Sequence, residues 1–591
     1  MYLLPYPKQV KTGKPVFFLS PHTVIAKQAG VPLIAAQQLQ AEIRRFAGVE
    51  VAILQGVGRE GDIVLSLDSI CNAQAYTLAV SKKGVQVAGG SEKGILHGVQ
   101  TLRQIIRQSG LCLPEVQIAD EPDFSERAYY FDVSRGRVST LDTLKMLADE
   151  MCFYKMNQLQ LYVEHTYLFR DLSETWRGGT PLTAEEIMVL DAYCMERGIE
   201  LVPSLSSFGH MFEILKTKTY EHLCELEDPA NQPLFYGRMA HHTINPAMPE
   251  SLEFVKALLD EFMPLFKSKQ FNICCDETFD LGKGRGAEAM KAVGEKAFYI
   301  NFVKALCDHV IKSGRIPMMW GDIIVKFPEA ISEMPEETIF LNWGYAPDIK
   351  EDETRIFAEA GVKQYVCPGV SSWNHWVPNL QVGYENISRM CAYGHKYGAL
   401  GVLNTDWGDF GHVADPAFSL PGVIYGAAFS WNANILPAKE VDASISHLAY
   451  LDRSGTAVES LKKISEVEAF GWWHLVRFKE SGIALQKIDS KRLAEKQAIY
   501  KECFRSLAAC IAGMDTVKRI EAQKWLLGLE ALHLWNRVGA KMLSCQTDAA
   551  LASELEKWFF LYCESWRKGA KEGDLGRVGE IVFFYADKLR G

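Results

Sequence analysis

Asp276 and Glu277 are adjacent carboxylates closing the apolar run Gln270-Phe271-Asn272-Ile273-Cys274-Cys275. Neighbours in a regular strand point to opposite faces, so both can reach one pocket only where the strand is ending. Two carboxylates held close resist double ionisation, which keeps one able to donate a proton near neutral pH. The apolar run and aromatic walls add desolvation in the same direction. The bland alternative has Asp276 capping the next helix while Glu277 pairs with a surface cation. The pair alone does not choose between them.

Other apolar runs end in similar chemistry. One begins at Arg127 and runs into Asp132 and Arg135; another ends in Glu164-His165, and a third is followed by Ser207-Phe208-Gly209-His210. Later ends carry tryptophan: Trp320-Gly321-Asp322, Trp343-Gly344-Tyr345, Trp373-Asn374-His375-Trp376 and Asp406-Trp407-Gly408-Asp409. Core packing explains a lone Trp, and Trp431 and Trp472-Trp473 are read as core. Repeated Trp beside carboxylates and an Arg suits a pyranose ring, which has apolar C–H faces and hydroxyls around its edge. A sugar-cleaving pocket is the chemistry these residues imply. His165 and His210 lack HxH or HExxH spacing and no paired CxxC occurs, so hydrogen bonding is expected of them, with no metal and no cofactor.

Positioning so many groups at strand ends asks for a particular architecture. Strand-like runs at 128–133, 158–163, 200–203, 270–275, 316–320, 338–343, 363–367 and 400–404 alternate with amphipathic helical stretches. This rhythm predicts a (β/α)8 TIM barrel, whose catalytic groups come from the C-terminal ends of its strands. An open doubly wound sheet competes, but its Gly-rich first turn is missing. Before the barrel, strands at 62–68 and 75–81, a turn at Lys82-Lys83-Gly84, a return strand at 85–89 and two helical patterns predict a small α/β domain. All 23 prolines lie at or before Pro437, and the remainder shows helical periodicity at Trp525, Leu529, Leu532 and Trp535. The expected domains are therefore 1–122 (α/β), 123–437 (barrel) and 438–591 (all-α).

The 591 residues carry 63 Lys and Arg against 73 Asp and Glu, a net charge of −10, with 48% hydrophobic residues. No cationic block offers a footprint for nucleic acid. A basic and apolar leader is lacking at the N-terminus, and no run of apolar residues is long enough to span a bilayer, so no membrane partner and a cytoplasmic location are expected. Dispersed cysteines fit free thiols in a reducing compartment.

The chain resembles the β-N-acetylhexosaminidases of glycoside hydrolase family 20. The resemblance rests on Tyr76-Thr77-Leu78-Ala79-Val80, Gly98 to Gln104, Arg127 with Asp132-Val133-Ser134-Arg135, Tyr154-Lys155-Met156-Asn157, Ser207 to His210, Ile244-Asn245-Pro246 and Asp276-Glu277. It departs where the family reads His-x-Gly-Gly-Asp-Glu, because both glycines are cysteines here, Cys274 and Cys275. The strand ending in Glu164-His165 also differs, and Trp373-Asn374-His375-Trp376 stands where a Tyr-x-Asp element is expected.

The resemblance implies retaining, substrate-assisted hydrolysis of an oligosaccharide or glycoconjugate with a terminal β-linked N-acetylhexosamine. Glu277 would be the acid and base, and Asp276 would orient the acetamido N–H. Arg127 and Asp409 would bind ring hydroxyls, with Trp320, Trp343 and Trp407 enclosing the sugar. His210 and Trp373 complete the expected binding set, and Tyr345 and Asn374 are the candidates for the acetamide oxygen. A conventional retaining glycosidase with Glu164 or Asp409 as nucleophile and a non-catalytic sugar-binding protein are the alternatives. The helical tail is open to capping the barrel or to forming a homodimer.

Overall fold

The computed structural model describes residues 1–68, 72–231, 235–482 and 489–591. Its N-terminal part is one sheet of β1 (Gln9–Phe18), β2 (Val24–Lys27), β3 (Ala52–Gln55), β4 (Ile63–Leu67), β5 (Tyr76–Ser81), β6 (Gly84–Gly89) and β7 (Cys112–Asp120), in the order β1-β7-β5-β6-β4-β2-β3. Helices α1 (Leu33–Glu42) and α2 (Glu92–Ser109) pack on it through Leu39, Val99, Leu102 and Ile106. The β5–β6 hairpin pairs Ser81 with Gly84. Gly84 stands at φ +134, where a Cβ would lie 2.6 Å from the Asp62 carbonyl oxygen, so the turn admits no other residue without strain.

Eight parallel strands close the barrel: β8 (Glu126–Asp132), β9 (Gln158–Val163), β10 (Glu200–Leu205), β11 (Gln270–Asn272), β12 (Ile316–Trp320), β13 (Ile339–Trp343), β14 (Lys363–Cys367) and β15 (Gly401–Asp406). Alternation sorts their side chains. Tyr130, Tyr162, Val202, Met318, Trp320, Leu341, Cys367 and Leu403 fill the interior, while Tyr129, Phe131, Leu159 and Phe340 face the surrounding helices. The interior cluster includes Cys274, Trp320 and Trp407, so the packed barrel continues upward as the floor of a pocket at the strands' C-terminal end. β11 is shorter than its apolar run: Ile273 and Cys274 still bond to β12, but the extended backbone ends as Cys274 turns left-handed.

From Ala438 onward the described residues contain α-helices and no named strand. These helices share one core with the barrel. Trp376, from the loop after β14, lies 5.1 Å from both Trp472 and Trp558 and 5.4 Å from Tyr562, centroid to centroid. Every cysteine among the described residues is unpaired. Among the described residues no helix is long and apolar enough to cross a membrane.

Candidate active site

Cys274 and Cys275 adopt φ +58 and +67, and Glu277 φ +45. This left-handed conformation costs an L-residue roughly 1–2 kcal/mol and is easy for glycine. Glycine would hold these two positions without that cost, whereas this chain holds them with cysteines. Contacts offset the strain: Ser207 Oγ donates to the Ile273 carbonyl oxygen (2.5 Å), and Tyr299 OH donates to that of Cys275 (2.8 Å). The turn brings Asp276 and Glu277 to one pocket. His210 Nε2 stands 3.4 Å from Asp276 Oδ2 and 3.3 Å from Glu277 Oε2.

His210 is itself left-handed, and its backbone N–H donates to His242 Nδ1 (2.7 Å), whose ring is kept neutral by burial. Burial and Arg135 work against a charged His210, but Asp276 and Glu277 outweigh them and raise its pKa to about 10. Burial pulls Glu277 upward, yet His210, 3.3 Å away, prevails and lowers it. Asp322, after β12, accepts the Glu277 backbone N–H at Oδ2 (3.1 Å). Burial first, then the charge on Asp276, raises Asp322 to about 7. One raised carboxyl among close carboxylates was the expectation; it falls on Asp322 rather than on Glu277. The ligand atoms of His210, Asp276 and Glu277 lie within 4.8 Å of one another, a spacing that would also accept a cation, but the protonated imidazole already supplies positive charge there.

Arg127 is the clear misplacement. It lies at the N-terminal end of β8, at the opposite mouth of the barrel, and is 0% exposed. Its guanidinium donates to the carbonyl oxygens of Lys155 (2.9 Å) and Phe124 (2.8 Å), lies over the Trp431 ring and meets His97 Nε2 of the N-terminal domain at 3.4 Å, so it ties the barrel base to that domain. Arg135, at the C-terminal end of β8, is the arginine in the pocket. It donates to Glu164 Oε1 (2.9 Å), Asp409 Oδ1 (2.8 Å) and Tyr162 OH (3.1 Å) and lies over the Trp407 ring. The signal was in the sequence: in a parallel barrel the residue after a strand faces the site, and the residue at its start does not.

The aromatic residues fall together. Trp320 and Trp407 are 5.7 Å apart, Trp343 stacks on Tyr345 at 5.1 Å, and Trp373 meets Tyr345 edge-on at 4.9 Å. Trp407 Nε1 donates to Tyr345 OH (2.7 Å), which leaves that hydroxyl's proton free for another acceptor. The charge on Asp276 reaches Tyr345 and adds to its raised pKa, behind burial. Asn374 is left-handed and its Oδ1 is buried without a hydrogen-bond partner among the described residues. His165 lies beside Glu164 on the side facing Glu213.

The arrangement offers an acid pair, a cation bridging it, an Arg–Asp–Glu cluster for hydroxyls and an aromatic box. Comparison with known proteins agrees. The model for the glycosyl hydrolase family 20 catalytic domain matches residues 124–373, and that for domain 2 of the same family matches residues 1–121. A lacto-N-biosidase of Bifidobacterium bifidum is 24% identical over 370 residues, which is 60% of this chain and 31% of that protein. A beta-hexosaminidase of Vibrio furnissii is 27% identical over 305 residues, 47% of this chain and 49% of that protein. The matches thus span about a third to a half of these curated relatives' lengths. The crystal structure of Flavobacterium johnsoniae chitobiase superposes with a TM-score of 0.63 at 17% identity, covering 94% of this chain and 95% of that one, a likeness of fold. With both family models matched in order along the sheet domain and the barrel, the chain belongs to glycoside hydrolase family 20.

Proposed function

We propose that the protein is an exo-acting β-N-acetylhexosaminidase, releasing terminal N-acetylglucosamine or N-acetylgalactosamine with retention and with the substrate's own acetamide as nucleophile. The observation that carries this is the turn at 274–277, which puts Asp276 and Glu277 into one pocket around His210. The acetamide oxygen attacks the anomeric carbon as the glycosidic C–O bond breaks, and the departing oxygen takes the Glu277 proton. Asp276 accepts the acetamido N–H and balances the positive charge of the oxazolinium ring. Water then attacks the anomeric carbon and gives its proton to Glu277, the ring opens, and the acetamide is restored.

The lowered Glu277 of the free pocket must gain a proton before it can act. An uncharged sugar that displaces water strengthens burial, already the largest influence on this group and one that acts upward. Tyr345 is better suited than Asn374 to hold the acetamide oxygen, because its hydroxyl proton is available and Asp276 is near. Arg135 takes the hydroxyl-binding role with Asp409. The engagement of both Glu164 and Asp409 by Arg135 disfavours either as an enzyme nucleophile.

Release of sugar from an aryl N-acetyl-β-glucosaminide tests the proposal. Glu277→Gln should lose on the order of 10²–10⁴ in rate. An unchanged rate would remove Glu277 from its role, and no release by the wild type from either the gluco or the galacto substrate would remove the activity.

A further inference from the structure

Glu277 lies just past two left-handed residues and is left-handed itself, so its backbone direction depends on whatever holds its own peptide. That group is Asp322, whose Oδ2 accepts the Glu277 N–H at 3.1 Å. Asp322 reaches back from the neighbouring strand end because Gly321 permits a close turn: a Cβ there would lie 2.6 Å from the Phe357 ring. The other oxygen, Oδ1, is buried and has no hydrogen-bond partner among the described residues. A buried carboxyl with half its acceptor capacity unused is costly in a merely structural role. Asp276 and Glu277 face it from the β11 loop, and Tyr299 from the helix Glu295–Lys312; the charges of all three carboxyls act on one another or on Tyr299.

We propose that Asp322 is a positioning residue for the acid, fixing the Glu277 peptide so that the carboxyl points at the leaving-group oxygen while Asp276 keeps its separate direction toward the acetamide. The proposal rests on the reading of Glu277 as general acid. Asp322 touches neither substrate nor the reacting atoms; it acts through the peptide it holds.

The test compares leaving groups. Protonation matters most when the departing oxygen is a poor leaving group and least when it is a dinitrophenolate. Asp322→Ala should lower kcat by about 10²-fold on a disaccharide substrate, the scale of a misplaced reacting group. On the dinitrophenyl N-acetyl-β-glucosaminide the loss should be several-fold smaller, with KM little changed on either. Asp322→Asn, whose amide oxygen accepts the same N–H, should recover most of the disaccharide rate. If Asp322→Ala does not fold, Asp322→Ser, too short to reach the peptide, replaces it. Equal losses on both leaving groups, or no loss, would overturn the positioning role. A wild type inactive on both substrates would instead overturn the proposed activity, so the two failures are distinguishable.

Discussion

Two loops at the barrel mouth carry the groups that matter, and they are built alike but held differently. The acid-pair loop follows β11 and is left-handed at Cys274, Cys275 and Glu277; the loop after β15 carries Trp407 and Asp409 and is left-handed at Phe410, Gly411 and His412. The first is held by the barrel's own residues, Ser207, Tyr299 and Asp322. The second is held from both sides: inside the barrel the Gly408 N–H donates to Asp132 Oδ2 (2.9 Å) and the Gly411 N–H to the Arg135 carbonyl oxygen (3.0 Å), and the helical domain grips it from outside. Trp472 Nε1 donates to the Phe410 carbonyl oxygen (2.6 Å), Tyr562 OH to that of Val413 (2.9 Å), and Lys524 pairs with Asp415 at 3.1 Å. Arg137, stacked on Trp566, donates to the carbonyl oxygen of His412 (3.3 Å). The acid pair is thus anchored by the barrel alone, whereas the loop that carries Asp409 is anchored by the barrel and the helical domain together. This gives the helical tail a role as a buttress of the mouth.

Mutations can break or sharpen that contrast. Trp472→Ala should have the largest effect, costing about 3–5 kcal/mol as a core truncation. Steady-state kinetics on the folded variant should show a raised KM through Asp409 with a smaller change in kcat. A kcat loss with KM intact would merge the two loops into one unit. Arg127→Met, at the opposite mouth, should cost about 1–3 kcal/mol in denaturant unfolding by stranding its carbonyl partners. It should leave KM unchanged, and a raised KM would return Arg127 to the pocket.

Tyr299→Phe removes one hydroxyl from the acid-pair loop and should cost about 1 kcal/mol of stability. Its kinetic signature should be the reverse of Trp472→Ala: kcat falls and KM holds. The remaining effect is in pH dependence. The His210 pKa is raised from 6.5 to about 10 in the folded chain, so its stabilisation is complete below pH 6.5 and is lost as pH rises toward 10. The stability difference between wild type and His210→Gln should shrink across that window in thermal unfolding. A constant difference would mean that the imidazole is not charged between the two carboxylates.

Much of this was legible in sequence because a barrel puts chemistry at one repeated place, the end of each strand. Asp276, Glu277, His210, Asp409 and the Trp residues were found that way, and the structure brings them together. Arg127 carries the family likeness but stands at the start of its strand, which in a parallel barrel lies at the mouth opposite the site. The left-handed turn at Cys274-Cys275 was hidden for another reason: an apolar run reads as strand, and non-glycine residues give no local sign of positive φ. His242 lies in a long loop after β10 with no periodic context, and only the folded chain shows it against His210. Strands β1, β2, β3 and β7 were missed, as short or irregular sheet members whose pairing is non-local. Helical periodicity identified the tail but not the surface it covers, since docking depends on where Trp376 and Phe410 emerge from the barrel.

The central claim is that the acid pair works with the substrate's own acetamide rather than with an enzyme nucleophile. The most direct measurement is the ratio of kcat/KM for an aryl 2-acetamido-2-deoxy-β-glycoside and its 2-hydroxy analogue, identical in leaving group. The acetamido substrate should be cleaved with retention and the hydroxy analogue left essentially uncleaved. Equal cleavage of both would contradict the account.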